Sequence, residues 1–179
     1  MTEPTTVPQG MSPSTLAKHV IDRHPDVSAK EPEGNRIELI VPAERVRDVV
    51  GMISELVPDA LPESLFGVDL GNDRYEVMYF FWSHSNLMLC QLRVTLEGAS
   101  PEVDSVWDIF PGMEWHERET HEMFGIGFKG NPDLRLLLLP DELDGKYPLR
   151  KSFKTDRSRL AESGLAETRP TSKESETSG

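Results

Sequence analysis

The feature that most constrains the fold is a pair of long strand-type segments separated by only four residues. The first, Arg74–Trp82, is rich in aromatic and β-branched residues, a composition typical of a strand buried on much of both faces. The second, Leu87–Leu96, alternates between apolar and polar residues. The four residues 83–86 predict a hairpin loop. The alternation directs Met88, Cys90, Leu92, Val94 and Leu96 inward, and Gln91, Arg93 and Thr95 outward.

The residues before this hairpin predict two helices and three shorter strands. Ser12 is a suitable N-cap with Pro13 after it, and the helix that they begin ends at His24 before a proline. Pro42 opens an amphipathic helix that Pro58 ends. The strand segments are Val27–Lys30, Arg36–Val41 and Leu65–Leu70.

Downstream of the hairpin, Ser105 is expected to cap a short helix over Val106–Phe110, and Glu114–Phe124 is expected to be helical. The resulting order predicts an α+β fold: a two-layer domain with helices packed on a mixed, mainly antiparallel sheet, followed by an extended C-terminal arm. We divide the chain into a disordered leader (1–11), the α+β domain (12–127), the arm (128–159) and a disordered tail (160–179).

Charge and cysteine content exclude several classes of function. The net charge of -12 argues against nucleic-acid binding, which requires a basic surface. Cys90 is the only cysteine, so the chain has neither a disulfide framework nor a cysteine-ligated zinc or iron–sulfur site. We expect the Cys90 side chain to be a small apolar residue of the core. No apolar run approaches the ~20 residues that span a bilayer, so we expect a soluble chain that reaches membranes only through partners.

The charged segment HERETHE, residues 116–122, suggests catalysis at first sight. A zinc-protease helix requires histidines at i and i+4, whereas His116 and His121 are five residues apart, about 140° around a helix. Glu117, Glu119 and Glu122 could in principle act as general acids or bases, but the sequence offers no nucleophile or phosphate-binding loop to go with them. We therefore interpret this helix as ion-paired, with Arg118 between Glu114 and Glu122 at i, i+4 spacing, and as structural or interfacial.

The segment after this helix predicts an interaction arm. Gly125 and Gly127 release the helix, and residues 130–132 turn the chain. Leucines at 134 and 136–139 are followed by residues 146–159, which contain six basic side chains and one acidic one. This basic segment is either a solvated surface or a docking site for an acidic partner. We expect the arm to be disordered in the isolated chain, and charge reversal at Arg150 and Lys151 to weaken assembly more than folding.

Residues 115–153, WHERETHEMFGIGFKGNPDLRLLLLPDELDGKYPLRKSF, resemble the 30-kDa subunit family of respiratory complex I, the bacterial NADH–quinone oxidoreductase. The family pattern departs from this chain where Asn131 replaces histidine and Leu136 replaces a second arginine, and Tyr147 lies in what is commonly a Gly-His-Pro stretch. The resemblance covers roughly residues 13–153. The matching segments are Glu117-Arg118-Glu119, Phe124-Gly125-Ile126, Pro132-Asp133-Leu134-Arg135, Leu139-Pro140, Pro148-Leu149-Arg150-Lys151 and Phe153.

The resemblance implies a subunit of the peripheral arm with no catalytic, cofactor-binding or metal-binding residues of its own. Its partners would be the 49-kDa-like subunit and the adjacent iron–sulfur subunit, in a hetero-oligomer held peripherally on the cytoplasmic side of the cell membrane. Iron–sulfur clusters, flavin and quinone would lie in partner subunits. The implied partner interface consists of Glu117, Arg118, Glu119, Phe124, Gly125, Pro132, Leu134, Arg135, Pro140, Gly145, Pro148, Leu149, Arg150 and Lys151.

Three alternatives stay open from the sequence. The same family serves membrane-bound [NiFe] hydrogenases and deazaflavin- or ferredoxin-linked dehydrogenases. A different class, a stand-alone metal-dependent hydrolase built on residues 116–122, would need stoichiometric metal in the purified chain.

Overall fold

A five-stranded mixed sheet forms the body of the computed structural model, which describes residues 10–154. The strands are β1 (Ser28–Ala29), β2 (Arg36–Ile40), β3 (Ala60–Gly71), β4 (Arg74–Ser83), β5 (Met88–Glu97), β6 (Glu102–Asp104) and β7 (Gly127–Lys129); the helices are α1 (Pro13–Arg23), α2 (Val46–Leu56) and α3 (Met113–Phe124). The first five strands form this sheet in the order β1-β2-β5-β4-β3, and β2 pairs with β5 in parallel while its other pairs are antiparallel; β6 and β7 form a separate pair. The fold class predicted from the sequence is therefore confirmed.

Local chemistry sets the ends of the first helices as the sequence indicates. The Ser12 side chain accepts a hydrogen bond from the amide of Thr15, and Pro13 follows it as the first residue of α1. A 3₁₀ turn, Ala43–Arg45, leads from Pro42 into α2. The apolar sides of α1 and α2 join the inward residues of β2, β4 and β5 in one buried core.

The two hairpins fix the sheet register. Asn72 and Asp73 have φ angles of 54° and 52°, so they form the tight turn that joins β3 to β4. Strand β3 is longer than the predicted Leu65–Leu70, and it contains register shifts near Pro62 and Asp69. All five predicted inward residues of β5 are buried. Gln91 is predicted to face outward but is buried, and its amide oxygen accepts a hydrogen bond from Arg36 on the neighbouring strand, which satisfies that buried polar atom.

The region around α3 differs most from prediction. Residues 106–110 form turns rather than a helix, with the amides of Ile109 and Phe110 both bonded to the carbonyl of Val106, and Pro111 prevents continuation. Strands β6 and β7 are additional to the predicted elements. In the sequence β6 precedes α3 and β7 follows it, and the two strands pair with each other in parallel. The predicted boundary between domain and arm, at 127/128, lies inside β7, and Phe128 is buried in the core.

Predictions for residues 1–9 and 155–179, which include most of the leader and all of the tail, lie outside the described residues. Within residues 10–154 no helix has the length and apolar character required to cross a bilayer.

Candidate functional site

Helix α3 is packed closely against strand β3. Met113, Glu117, Thr120 and Phe124 share the buried side of the helix, at the i, i+4, i+7 and i+11 spacing of one helical face. A Cβ atom on Gly67 of β3 would lie 2.7 Å from Cδ2 of Phe124, so only glycine permits this approach. Gly125 ends the helix with φ 69°, and its amide donates to the carbonyl of His121 at 2.7 Å.

Glu117, the first glutamate of the family-type motif, is fully buried and serves as an internal acceptor. One carboxylate oxygen accepts from the amide of Val106 at 2.8 Å. The other accepts from the Ser105 hydroxyl and from the Asn131 side-chain amide. Burial raises the pKa of Glu117 above its ordinary value, although these three donors oppose the increase. The side chain thus joins the 105–106 turn and the start of the arm to α3.

Arg118 binds the main chain of the arm. Its guanidinium donates to the carbonyl oxygens of Arg135 and Leu136, and it lies 3.8 Å from a carboxylate oxygen of Asp133. The predicted ion pairs of Arg118 with Glu114 and with Glu122 are not formed between these described residues. The helical spacing would permit those pairs, but the arm supplies acceptors in their place.

Glu122 binds the next three residues of the arm through their amides. Its carboxylate accepts from the main-chain N–H groups of Leu137, Leu138 and Leu139, at distances from 2.8 to 3.2 Å. Glu122 is itself buried, so the docked arm both satisfies and covers its charge. Because these bonds reach main-chain atoms, leucine in place of arginine at position 136 leaves this contact available.

Arg150 fastens the far end of the arm. Its guanidinium donates to the carbonyl of Phe124 at the C-terminus of α3, where the helix dipole favours a cation. The guanidinium carbon lies 4.5 Å from the ring centre of Tyr147 and 5.0 Å from that of Tyr75. A Cβ on Gly125 would lie 2.7 Å from Arg150 and Tyr147, so glycine is required there as well.

Two main-chain bonds accompany Arg150. The amide of Leu149 donates to the carbonyl of Met123 at 3.1 Å, and the amide of Lys151 donates to the Asp69 carboxylate at 2.7 Å. Burial opposes ionisation of Asp69, but the amides of Lys151 and Gly71 bring its pKa below the ordinary value. Residues 128–154 therefore make specific contacts with their own domain, while the disorder expected of the arm in the isolated chain stays a prediction.

The structure divides the predicted interface residues into two groups. Glu117 and Phe124 are buried, while Arg118, Gly125 and Arg150 are used within the chain. Sequence reasoning assigns these to a partner because a charged, glycine-punctuated motif does not show which contacts are internal. Half-buried positions are Leu134 and Pro148, and exposed positions are Glu119, Pro132, Arg135, Pro140, Gly145, Leu149 and Lys151.

Two exposed apolar side chains are absent from the predicted interface. Trp115 is 63% exposed and Leu138 is 62% exposed, and the predicted Leu149 is 56% exposed. Large apolar side chains presented singly are common, but these three all belong to α3 and the arm docked on it. The signal available in the sequence is Trp115 at the polar start of a helix.

Residues 10–154 contain no group of three or more histidine, cysteine or acidic side chains placed to hold a metal ion. His121 bonds through Nδ1 to the carbonyl of Ile126, so this ring stabilises the turn after α3. Cys90 is buried, and burial raises the pKa of its thiol to about 12.

The fold and this site define a class: an α+β domain whose most distinctive sequence block forms a helix with an arm docked on it. The chain belongs to the family of the 30 Kd subunit of respiratory-chain NADH dehydrogenase, whose pattern it matches over residues 39–159.

Relatives support the same assignment. The chain is 38% identical over 99 residues to a subunit of the F(420)H(2) dehydrogenase of Methanosarcina mazei, covering 55% of this chain and 63% of the relative. It is 42% identical over 93 residues to a subunit of the NADH-quinone oxidoreductase of Chloroherpeton thalassium, covering 50% and 38%. It is 32% identical over 117 residues to the equivalent Moorella thermoacetica subunit, covering 65% and 78%. The match thus spans less than two thirds of the length of the first two of these relatives.

Solved structures show the same fold at lower sequence identity. A chain of the membrane-bound sulfane sulfur reductase, an archaeal respiratory membrane complex, superposes with a TM-score of 0.74 at 22% identity, covering 92% of this chain and 98% of that one. A trypsin-resistant fragment of Nqo5 superposes with a TM-score of 0.57 at 20% identity, covering 66% and 99%.

Proposed function

We propose that this chain is a cofactor-free subunit of a complex I-like NADH–quinone oxidoreductase, and that it supports assembly and the quinone module rather than chemistry. The observation that carries the proposal is that the charged residues of the family motif in α3 bind the arm. Arg118 and Glu122 direct their hydrogen bonds to the arm, and Glu117 accepts one from Asn131 at its start. The arm presents Leu138 and Leu149 outward. A surface of this kind suits contact with another protein.

The partners in this proposal are the 49-kDa-like subunit and the adjacent iron–sulfur subunit. The flavin, iron–sulfur clusters and quinone belong to partner subunits, and the chain is held peripherally on the cytoplasmic side of the membrane through them. The exposed positions of the arm, together with Trp115 and Leu138, form the contact surface.

A second candidate is the equivalent subunit of an F(420)H(2) dehydrogenase. The observation favouring it is the 38% identity over 99 residues to the Methanosarcina mazei subunit. The two candidates share this chain's role and differ in the subunit that accepts electrons from the donor. Purification of the intact complex by a tag on this chain distinguishes them: a nicotinamide-oxidising flavoprotein favours the first and a deazaflavin-oxidising one the second.

The interface is tested by Leu138→Asp and Leu149→Asp in the tagged chain, with recovery of partner subunits as the measurement. We expect recovery to fall by about tenfold or more, because a charge would replace an apolar contact at the interface. Leu87→Asp is the matched control, since Leu87 is also 62% exposed but lies in the β4–β5 hairpin loop. Equal recovery with all three variants would contradict the proposed surface.

A further inference from the structure

The hydroxyl group of Tyr79 is a buried polar group without a protein partner. This side chain lies on β4, points into the core and is completely enclosed. Within residues 10–154 no protein atom forms a hydrogen bond with its Oη atom. Buried hydroxyl groups in folded proteins are nearly always bonded to the protein or to an ordered water molecule, so this one requires a partner.

The packing of α3 on the sheet places Tyr79 opposite the middle of this helix. A Cβ on the residue before the helix would lie 3.4 Å from Cγ of Pro62 on β3. Nearer the other end, a Cβ on Gly67 of β3 would lie 3.1 Å from Cγ2 of Thr120. Leu65 lies between these two contacts, and its cross-strand partner is Tyr79. Because cross-strand partners share one face of a sheet, the Tyr79 ring lies beside the part of α3 between the two contacts.

The side chain that α3 presents to the core in this part of the helix is Glu117, and its carboxylate has a free acceptor site. Oε2 of this carboxylate accepts two hydrogen bonds, from Ser105 and from Asn131. Oε1 accepts one, from the amide of Val106. Each oxygen of a carboxylate can accept two hydrogen bonds, so Oε1 can accept one more.

Tyr79 and Glu117 interact electrostatically without a direct hydrogen bond. Burial raises the pKa of the Tyr79 hydroxyl, and the negative charges of Glu117 and Asp104 raise it further. Tyr79 Oη bonds to neither carboxylate within the described chain. A water molecule can donate to the free site on Glu117 and also bond to the hydroxyl, whereas an anion would be repelled by the two carboxylates. Residues 10–154 offer no group of ligands for a metal ion, so water is the molecule that fits these polar groups.

We propose that a single water molecule is bound between the Tyr79 hydroxyl and Oε1 of Glu117, as an integral part of the fold. This water joins β4 to α3. Since Glu117 also accepts from Asn131, it connects the sheet to the start of the docked arm. The site belongs to this chain alone, so its test requires no partner subunit and does not depend on the proposed function.

The first test is Tyr79→Phe, which removes the hydroxyl and keeps the ring. If the hydroxyl had no partner, its removal would stabilise the fold. With the water bound, we expect the unfolding equilibrium constant in urea to rise by about fivefold, because a bridged hydrogen bond is lost. Tyr75→Phe is the matched control, because Tyr75 lies four residues earlier on the same strand, where its ring meets the Arg150 guanidinium. The control should stay within about twofold of the parent.

The second test counts the bound water in the full chain by magnetic relaxation dispersion of the water oxygen, which detects water molecules held for longer than the protein takes to tumble. Tyr79→Phe should hold one long-lived water fewer than the parent, and Tyr75→Phe should hold the same number. The carboxyl carbon resonance of Glu117 should also titrate with a higher pKa in Tyr79→Phe, because the ionised carboxylate loses a donor.

Three results would overturn the proposal. Unchanged or increased stability of Tyr79→Phe would mean that the hydroxyl is unpaired. Lower stability with an unchanged number of long-lived waters would mean that the hydroxyl bonds directly to the protein. Equal loss of bound water in Tyr79→Phe and Tyr75→Phe would mean that the water is not held at this site.

Discussion

Replacing Arg150 by alanine isolates the contact that fastens the end of the arm. The substitution removes a charged donor from the carbonyl of Phe124, at the C-terminus of α3, and removes the cation from between the rings of Tyr75 and Tyr147. Lys151 is the matched control, because its side chain is exposed and its contact with Asp69 uses the main-chain amide, which alanine retains.

The magnitude follows from the separate contributions. A hydrogen bond from a charged donor contributes about 1.5 kcal/mol at the lower end of the range. Each cation–π contact adds about 0.5 kcal/mol at a half-exposed site. Because these contributions share one side chain, we expect Arg150→Ala to destabilise the docked arm by about 2 kcal/mol, which is about thirtyfold in its opening equilibrium.

The assay is amide hydrogen exchange in the isolated chain. The amides of Leu149 and Lys151, which donate to Met123 and Asp69, should exchange about thirtyfold faster in Arg150→Ala, and within about twofold of the parent in Lys151→Ala. Equal effects of the two variants, or no effect of either, would refute the assigned contacts. From the sequence we expect charge reversal at Arg150 and Lys151 to weaken assembly more than folding. For Arg150 that expectation is revised, because its side chain also holds the arm on its own domain; for Lys151 it is unchanged.

Three further predictions concern the body of the protein. Gly67→Ala should cost about 1–3 kcal/mol of unfolding free energy in urea, because its Cβ would meet Phe124, whereas Gly51→Ala, with open space around it in α2, should be neutral or stabilising. Burial raises the pKa of Glu117 above its unfolded value near 4.5, so the contribution of this group to stability is largest below that pH and declines as the pH rises through the folded value. The parent should therefore lose unfolding free energy relative to Glu117→Gln as the pH is raised from about 4 to about 7, which urea unfolding of both proteins across that range would measure. The Cys90 thiol, buried with a pKa of about 12, should react with a thiol reagent only at the rate of unfolding, and rapid labelling of the native chain would contradict its burial.

The hairpins and the main helices could be predicted because their patterns are long. Strand β5 alternates over ten residues, and α2 keeps one apolar face through three turns, so in each case periodicity and burial agree. The parallel pair β6–β7 could not be predicted, since three residues are too few to establish a period and their pairing depends on α3 lying between them.

The roles of the charged residues in α3 could be predicted only in part. The spacing of His116 and His121 excluded a mononuclear metal site, and the absence of a nucleophile favoured a structural or interfacial role for the glutamates. The partners of Arg118 and Glu122 could not be inferred, because i, i+4 ion pairing and binding of a docked main chain use the same residues at the same spacing. Only the position of the arm decides between these two uses.

The parallel pairing of β6 with β7 has a consequence for biosynthesis. A parallel pair needs a crossover, and here the crossover contains α3, so Glu102–Asp104 must wait for Gly127–Lys129 before the pair can close. The arm as defined begins inside β7, so the chain must be synthesised past this strand before the arm can pack on α3. A ribosome-bound or truncated chain that ends before β7 therefore has β6 without its parallel partner, and has Arg118 and Glu122 of α3 without the arm that they bind.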